Sequence, residues 1–174
     1  MALLTEGRTT GCENSVCSGG ISDTLMLANQ ADIATTTVGM DGKVTAITME
    51  TDATFYSFDF KDFTANFTEN LAITNGVSVV TQQFQMIWTC RNHPDRNLIM
   101  ALAGNGCGMV AIHKENTGVT LEWGYLPKRH VYLLTADSQS GAALSDPNQT
   151  TLTLQCITSE CAREFTPGID GVPL

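Results

Sequence analysis

The sequence predicts a mainly β protein: an antiparallel sandwich or barrel of two sheets flanked by one α-helix, a single domain over residues 1–174 with extended arms at both ends. Three features carry that expectation. Apolar residues alternate with polar ones in a Thr-rich chain, the period of strands with one buried face. Turn dipeptides punctuate the alternating runs. One stretch alone has the start signal, apolar stripe and stop of a helix.

Before about Ile21 the chain reads as an extended arm. Asp41-Gly42 lies between extended runs and favours a two-residue type I′ turn, because both residues tolerate positive φ. The run "FYSFDFKDF" sets Tyr56, Phe58 and Phe60 against Ser57, Asp59 and Lys61, a long strand with one wet face. Asn75-Gly76 predicts a second type I′ hairpin. It leads into the clearest strand, Val77 to Cys90, where Phe84, Met86, Trp88 and Cys90 share one face and Gln83, Gln85, Ile87 and Thr89 the other.

The helix is expected over Pro94 to Ala103. Asn92 or His93 can cap it, Pro94 suits its first position, Asp95 its first turn, Leu98, Ile99 and Leu102 its buried stripe, and Gly104 its end. Met109 to His113, Thr120 to Leu126 and Val131 to Ala136 read as further strands, with a turn at Asn116-Thr117-Gly118; "TTLTLQCIT" closes the set. The stretch from Asp137 to Gln149 reads as a loop by composition, and ordered loops of that length usually make contacts or carry function. A second arm is expected after about Cys161.

The 43% hydrophobic and 16% charged composition suits a packed core and neither a disordered segment nor a coiled coil. A net charge of -9 disfavours stable binding along a phosphate backbone. The acidic excess is concentrated: Glu13 to Cys90 holds nine acids and two bases. That excess either marks one negative sheet surface or serves solubility. "MALLTEGRTT" has no basic leading segment and its apolar run stops at Leu4, so secretion by a signal peptide is not expected. Leu98 to Ile112 is broken by Gly104, Asn105, Gly106 and Gly108, so no membrane-spanning helix is expected either. The sequons at Asn66 and Asn148 read as chance in a protein made in a cytoplasm.

No active site emerges. Cys12/Cys17 and Cys156/Cys161 form two C-x4-C pairs, which leaves free thiols, disulfides within a pair, or a four-thiolate zinc site open; free thiols suit a reducing cytoplasm. Cys90 and Cys107 read as small buried apolar residues. His93, His113 and His130 are scattered, as capping, packed or exposed histidines usually are. There is no G-x-S-x-G elbow, and the Gly104, Gly106, Gly108 series follows a helix instead of opening one, the reverse of a phosphate loop. The expectation is a non-enzyme with no catalytic residue, no cofactor and no metal.

Several local features do occur in a recognisable order: "C-x4-C-SGGI", "FYSFDF", "TANFTEN", "VSVVTQQFQMIW", a short helix ending in "LAGN", "MVAIHKENTG" and "ADSQSGAALSDPNQTTLTL". Over roughly residues 12–165 this order resembles the major tail tube proteins of tailed bacteriophages, in particular a divergent Bacteroidetes-phage-like type. The resemblance implies a structural virion protein of the viral tail, assembled in the host bacterial cytoplasm. Hexameric rings would stack into a tube, one sheet per subunit joining a continuous inner barrel through which DNA is ejected without specific binding. Partners would be further copies and sheath, terminator, baseplate and tape-measure proteins.

On that reading the duct is lined by acidic and uncharged polar side chains drawn mainly from the strands between Lys43 and Thr89. The candidate pool is Glu50, Asp52, Asp59, Asp62 and Glu69, which cannot all point inward. Candidate contacts between subunits or rings are Ser18, Gly19, Gly20, Asn70, Asn75, Asp137, Ser138, Ser140 and Asp146, within the segments Gly11 to Ile21, Thr64 to Val77 and Asp137 to Gln149. A tail terminator, tube initiator or decoration protein is the alternative within the virion. A monomeric β-sandwich ligand-binding domain, for instance for carbohydrate, is the alternative outside it.

Overall fold

The computed structural model describes residues 20–172, apart from 62–63, 91 and 144–145. Eleven strands and one α-helix are present among them: β1 (Ile21–Asn29), β2 (Ile33–Val38), β3 (Val44–Met49), β4 (Tyr56–Asp59), β5 (Asn66–Thr74), β6 (Val77–Thr89), α1 (His93–Gly104), β7 (Met109–Glu115), β8 (Thr120–Trp123), β9 (Tyr132–Gln139), β10 (Gln149–Thr158) and β11 (Arg163–Glu164). They form a five-stranded sheet in the order β11-β8-β7-β1-β4, a four-stranded sheet β5-β6-β10-β9 and the hairpin β2-β3. All pairings between these strands are antiparallel. The predicted fold class, mainly β with antiparallel sheets and one helix, is the fold observed.

The core lies between the two larger sheets. Leu25, Leu27, Met109, Ala111 and Trp123 from the five-stranded sheet meet Phe84, Met86, Trp88, Leu152 and Leu154 from the other. Leu98 and Leu102 of α1 close this cluster. Phe58 stacks on Trp88 at 6.2 Å and Phe84 on Trp123 at 6.4 Å. Truncating either indole to Ala would cost about 3–5 kcal/mol through lost burial and a cavity. The opposite face of the five-stranded sheet carries a second core, where Met26, Ala28 and Ile112 pack against Val44, Ile47, Phe55, Phe165 and Val172.

The helix start is as the residues dictate: the Asn92 side chain accepts a hydrogen bond from the Asp95 amide at 2.7 Å, and Pro94 sits in the first turn. The Asn75-Gly76 turn has both φ values positive, 53° and 77°, as a type I′ turn requires. The other hairpin forms where expected, but its turn differs. Only Gly42 has positive φ, at 81°, and the Gly42 amide donates to Gly39 O, so a longer loop ending in a left-handed glycine replaces the type I′ turn.

Five further expectations are corrected. The strand at Tyr56 ends at Asp59, because the chain changes sheets: the Lys61 amide donates to Ile87 O of β6, while burial still alternates through Phe58 and Phe60. β8 stops at Trp123, where Gly124 takes φ 79° and a Cβ would lie 2.5 Å from Val131 Cγ2. The stretch from 137 is not all loop; β9 continues to Gln139, since Asp137, Ser138 and Gln139 pair with Thr151, Thr150 and Gln149 of β10. Cys90 is exposed at φ 59° instead of buried, because it leaves the strand at the turn into α1. The chain beyond Cys161 is no loose arm: Arg163 and Glu164 pair with β8, the Thr166 amide donates to Val44 O, and Phe165 is buried.

Candidate functional site

The most distinctive surface is the outer face of the four-stranded sheet. In β6 the residues Phe84, Met86 and Trp88 turn to the core, so Thr81, Gln83 and Gln85 turn away. Register carries the same parity across the sheet: Gln83 opposes Thr68 and Gln155, and Gln85 opposes Asn66 and Thr153. Beyond β10, Gln155 opposes Tyr132, whose hydroxyl donates to Gln155 Oε1, and Thr153 opposes Thr135. The middle of the face is therefore a layer of amides and hydroxyls, with Ile87, Ile157 and Val77 toward its ends. Asp137, opposite Thr151, is the one charged side chain that its four strands put there among the described residues; exposed Lys61, whose amide bonds Ile87 O, lies at its margin.

A bulge between Thr153 and Leu154 shifts the register of β9 and brings Leu134 out to 43% exposure. The resulting concavity, about 270 Å³, is lined by Asn66, Thr68, Gln83, Gln85, Leu134, Thr135 and Thr153. At the margins of the sheet, β5 and β9 carry no further strand among the described residues. Four antiparallel strands give those two edges opposite chain direction.

The carboxylates proposed for the duct do not share this face. Glu50 and Asp52 lie in the turn after β3, Asp52 at φ 64° and Glu50 with its amide donating to Asp32 O. Asp59 is on β4, at the margin of the other sheet, where Thr24 Oγ1 and Ser57 Oγ both donate to its Oδ1 at 3.4 Å. Glu69 is on β5 but opposes buried Gln82, on the core side; its Oε1 accepts from Gln82 Nε2 at 2.9 Å and from the Ala162 amide at 2.6 Å. That carboxylate anchors the C-terminal segment. Asp62 lies outside the described residues, as do Ser18, Gly19, Cys12 and Cys17.

The contact candidates fall in three places. Asn70 and Asn75 are on the β5–β6 hairpin, both exposed. Asp137, Ser138, Ser140 and Asp146 are at the β9–β10 end; Ser138 Oγ and Thr150 Oγ1 are 2.8 Å apart, Ser140 Oγ donates to Gly141 O, and Asp146 Oδ2 accepts from the amides of Ala142 and Ala143. These two bonds hold the Asp146 carboxyl below its usual range. Gly20 precedes β1 at φ 90° and accepts from the Asn116 amide.

Two titratable groups are buried in the five-stranded sheet: His113, one of the scattered histidines and here a packed one, and Glu122, which sequence reasoning did not single out. His113 packs among Phe67, Phe84 and Trp123, with no hydrogen-bond partner for either ring nitrogen among the described residues. Burial lowers its pKa to about 3. Glu122 is fully buried with both oxygens unpartnered among the described residues, and burial pushes its pKa up to about 7, Arg163 opposing. Arg163 pairs with Glu122 in register but binds Glu160 Oε2 at 2.7 Å and lies 4.7 Å over the Tyr125 ring.

Cys156 and Cys161 are free, the former buried with its thiol pKa raised to about 11. Among the described residues no group of three or more His, Cys, Asp or Glu side chains is placed to hold a metal, and no helix is long and apolar enough to cross a membrane. No protein-family model, curated protein or solved structure matches the chain.

Proposed function

We propose that the protein is a structural subunit of a phage tail tube, its four-stranded sheet forming one segment of a closed inner barrel. The observation that supports this is the combination of a nearly uncharged polar face with two free edges of opposite direction. A β9 edge of one copy and the β5 edge of the next can pair antiparallel by rotation alone, a head-to-tail contact that closes into a ring and leaves neither edge of that sheet open. Six copies would contribute about two dozen strands. At about 4.8 Å spacing and about 40° tilt these make a barrel about 50 Å across, and side-chain layers of about 5 Å leave about 40 Å clear. That bore admits duplex DNA. Amides and hydroxyls facing it hydrate well, and the sheet's four strands offer phosphates no cation among their described residues.

Negative-stain microscopy of the purified chain at high concentration tests the proposal. Stacked rings are expected. Rings that never stack would favour a terminator or initiator, and particles that remain monomers at every concentration would reject assembly. The concavity around Gln83 and Gln85 supports one second reading, a monomeric binder of a neutral polyhydroxylated ligand, for which saturable oligosaccharide binding by the monomer is the test.

A further inference from the structure

We infer that the tip of the β5–β6 hairpin is the axial contact of the assembly, seated on the β9–β10 rim of a second copy in the next ring. This rests on the tube reading and adds to it a named contact. β10 pairs with β6 only as far as Val80, so beyond that point the hairpin is two-stranded. On its core-facing side Glu69 is the last β5 residue bonded to the C-terminal segment; the next two of that parity, Leu71 and Ile73, are 62% and 74% exposed. Val77 on the return strand opposes Thr74, is of the other parity and is 61% exposed, so both faces of the tip carry apolar side chains. No charged residue occurs between Asn70 and Val80. Water-exposed Leu, Ile and Val concentrated on a projecting, uncharged hairpin mark a surface that is covered in the working state.

The size of this apolar tip selects the occupant. Three such side chains can bury on the order of 200–300 Å², far short of the roughly 800 Å² per partner of a stable two-body complex. A contact this small is effective when a ring presents several copies at once, which makes a second copy of this chain the partner. Strand direction selects the receiving surface. β6 runs from the hairpin turn to Thr89, so the opposite rim is where the Cys90 amide bonds Asn148 O and the β9–β10 loop turns. There Ala142 and Ala143 are exposed and uncharged, their amides held by Asp146. Rotation about the ring axis puts every tip on one rim and every loop on the other, so rings stack head to tail.

The full-length chain is tested at the concentration where the wild type forms tubes, by sedimentation and microscopy. Leu71→Asp/Ile73→Asp on the tip and Ala142→Glu on the receiving rim should each leave single rings and raise the concentration needed for tube growth about tenfold or more. An unchanged melting transition shows that the variants fold. Should the double variant lose that transition, Val77→Thr, which keeps β propensity, carries the same test with a smaller expected shift. Tubes growing at wild-type concentration from the tip variants overturn the inference, and the same result with Ala142→Glu overturns the receiving rim. A wild type that forms neither rings nor tubes overturns the tube reading itself, a result separate from loss of stacking in variants alone.

Discussion

His113 and Glu122 lie on adjacent strands of the five-stranded sheet but face opposite cores, and their burial has opposite consequences for stability against pH. Glu122 binds its proton more tightly in the native state, with a pKa of about 7 against an ordinary 4.5. Its contribution is fully present below about 4.5 and lost as pH rises through about 7. His113, held at about 3 against an ordinary 6.5, resists protonation in the native state, so its contribution is present above 6.5 and lost as pH falls from there toward 3. Glu122→Gln should therefore raise the melting temperature at pH 8, a gain on the order of 1–3 kcal/mol that disappears near pH 4. His113→Phe keeps a ring among Phe67, Phe84 and Trp123 and should flatten the loss of stability between pH 6.5 and 4.5. Calorimetry across that range reads both, and a Glu122→Gln variant that melts like wild type at pH 8 would refute the first.

Among the elements, the β5–β6 hairpin and α1 depend on single local residues. Gly76 takes φ 77° with no atom within 4 Å of where a Cβ would stand, so Gly76→Ala has backbone strain but no clash. A loss of about 1 kcal/mol is expected in urea unfolding. Asn92→Ala removes the acceptor for the Asp95 amide and should cost about 0.5–2 kcal/mol. The Asn75-Gly76 turn, the helix cap and the long β6 were legible because each rests on neighbours in sequence. β4 and β9 were not: at Lys61 the backbone finds its partner in the other sheet, and at Asp137 a polar run is recruited by β10. In both places hydrogen-bond partners distant in sequence decided the element, which no local propensity records.

At the scale of the molecule, the position of charge separates two accounts of a DNA duct. Repulsion by an acidic lining requires a subset of Glu50, Asp52, Asp59 and Glu69 to face the lumen, whereas the one charged side chain that the four-stranded sheet's own described residues put on its outer face is Asp137. In assembled tubes, Gln83→Lys/Gln155→Lys should make duplex DNA adhere at low salt, with adhesion falling as salt screens the added charge. Reversing Glu50 and Asp52 to Lys should leave DNA retention unchanged. Retention that rises equally in both variants would place the turn after β3 in the duct and remove the four-stranded sheet from it.

The sequence by itself determined the fold class, the parity of β6 and β10, both hairpin positions and the helix with its cap, because alternation, turn residues and capping act over a few neighbouring residues. It also held the polar parity of "TTLTLQCIT" and of Gln83 and Gln85. Only the tertiary structure decided that these runs lie side by side with Asn66, Thr68 and Thr135, and that Glu69 turns to the core while Glu50 and Asp52 sit in a remote turn. Sheet order and register are set by which strands bury their apolar faces together, a property of the whole chain; a list of acidic residues could not show which of them share a surface.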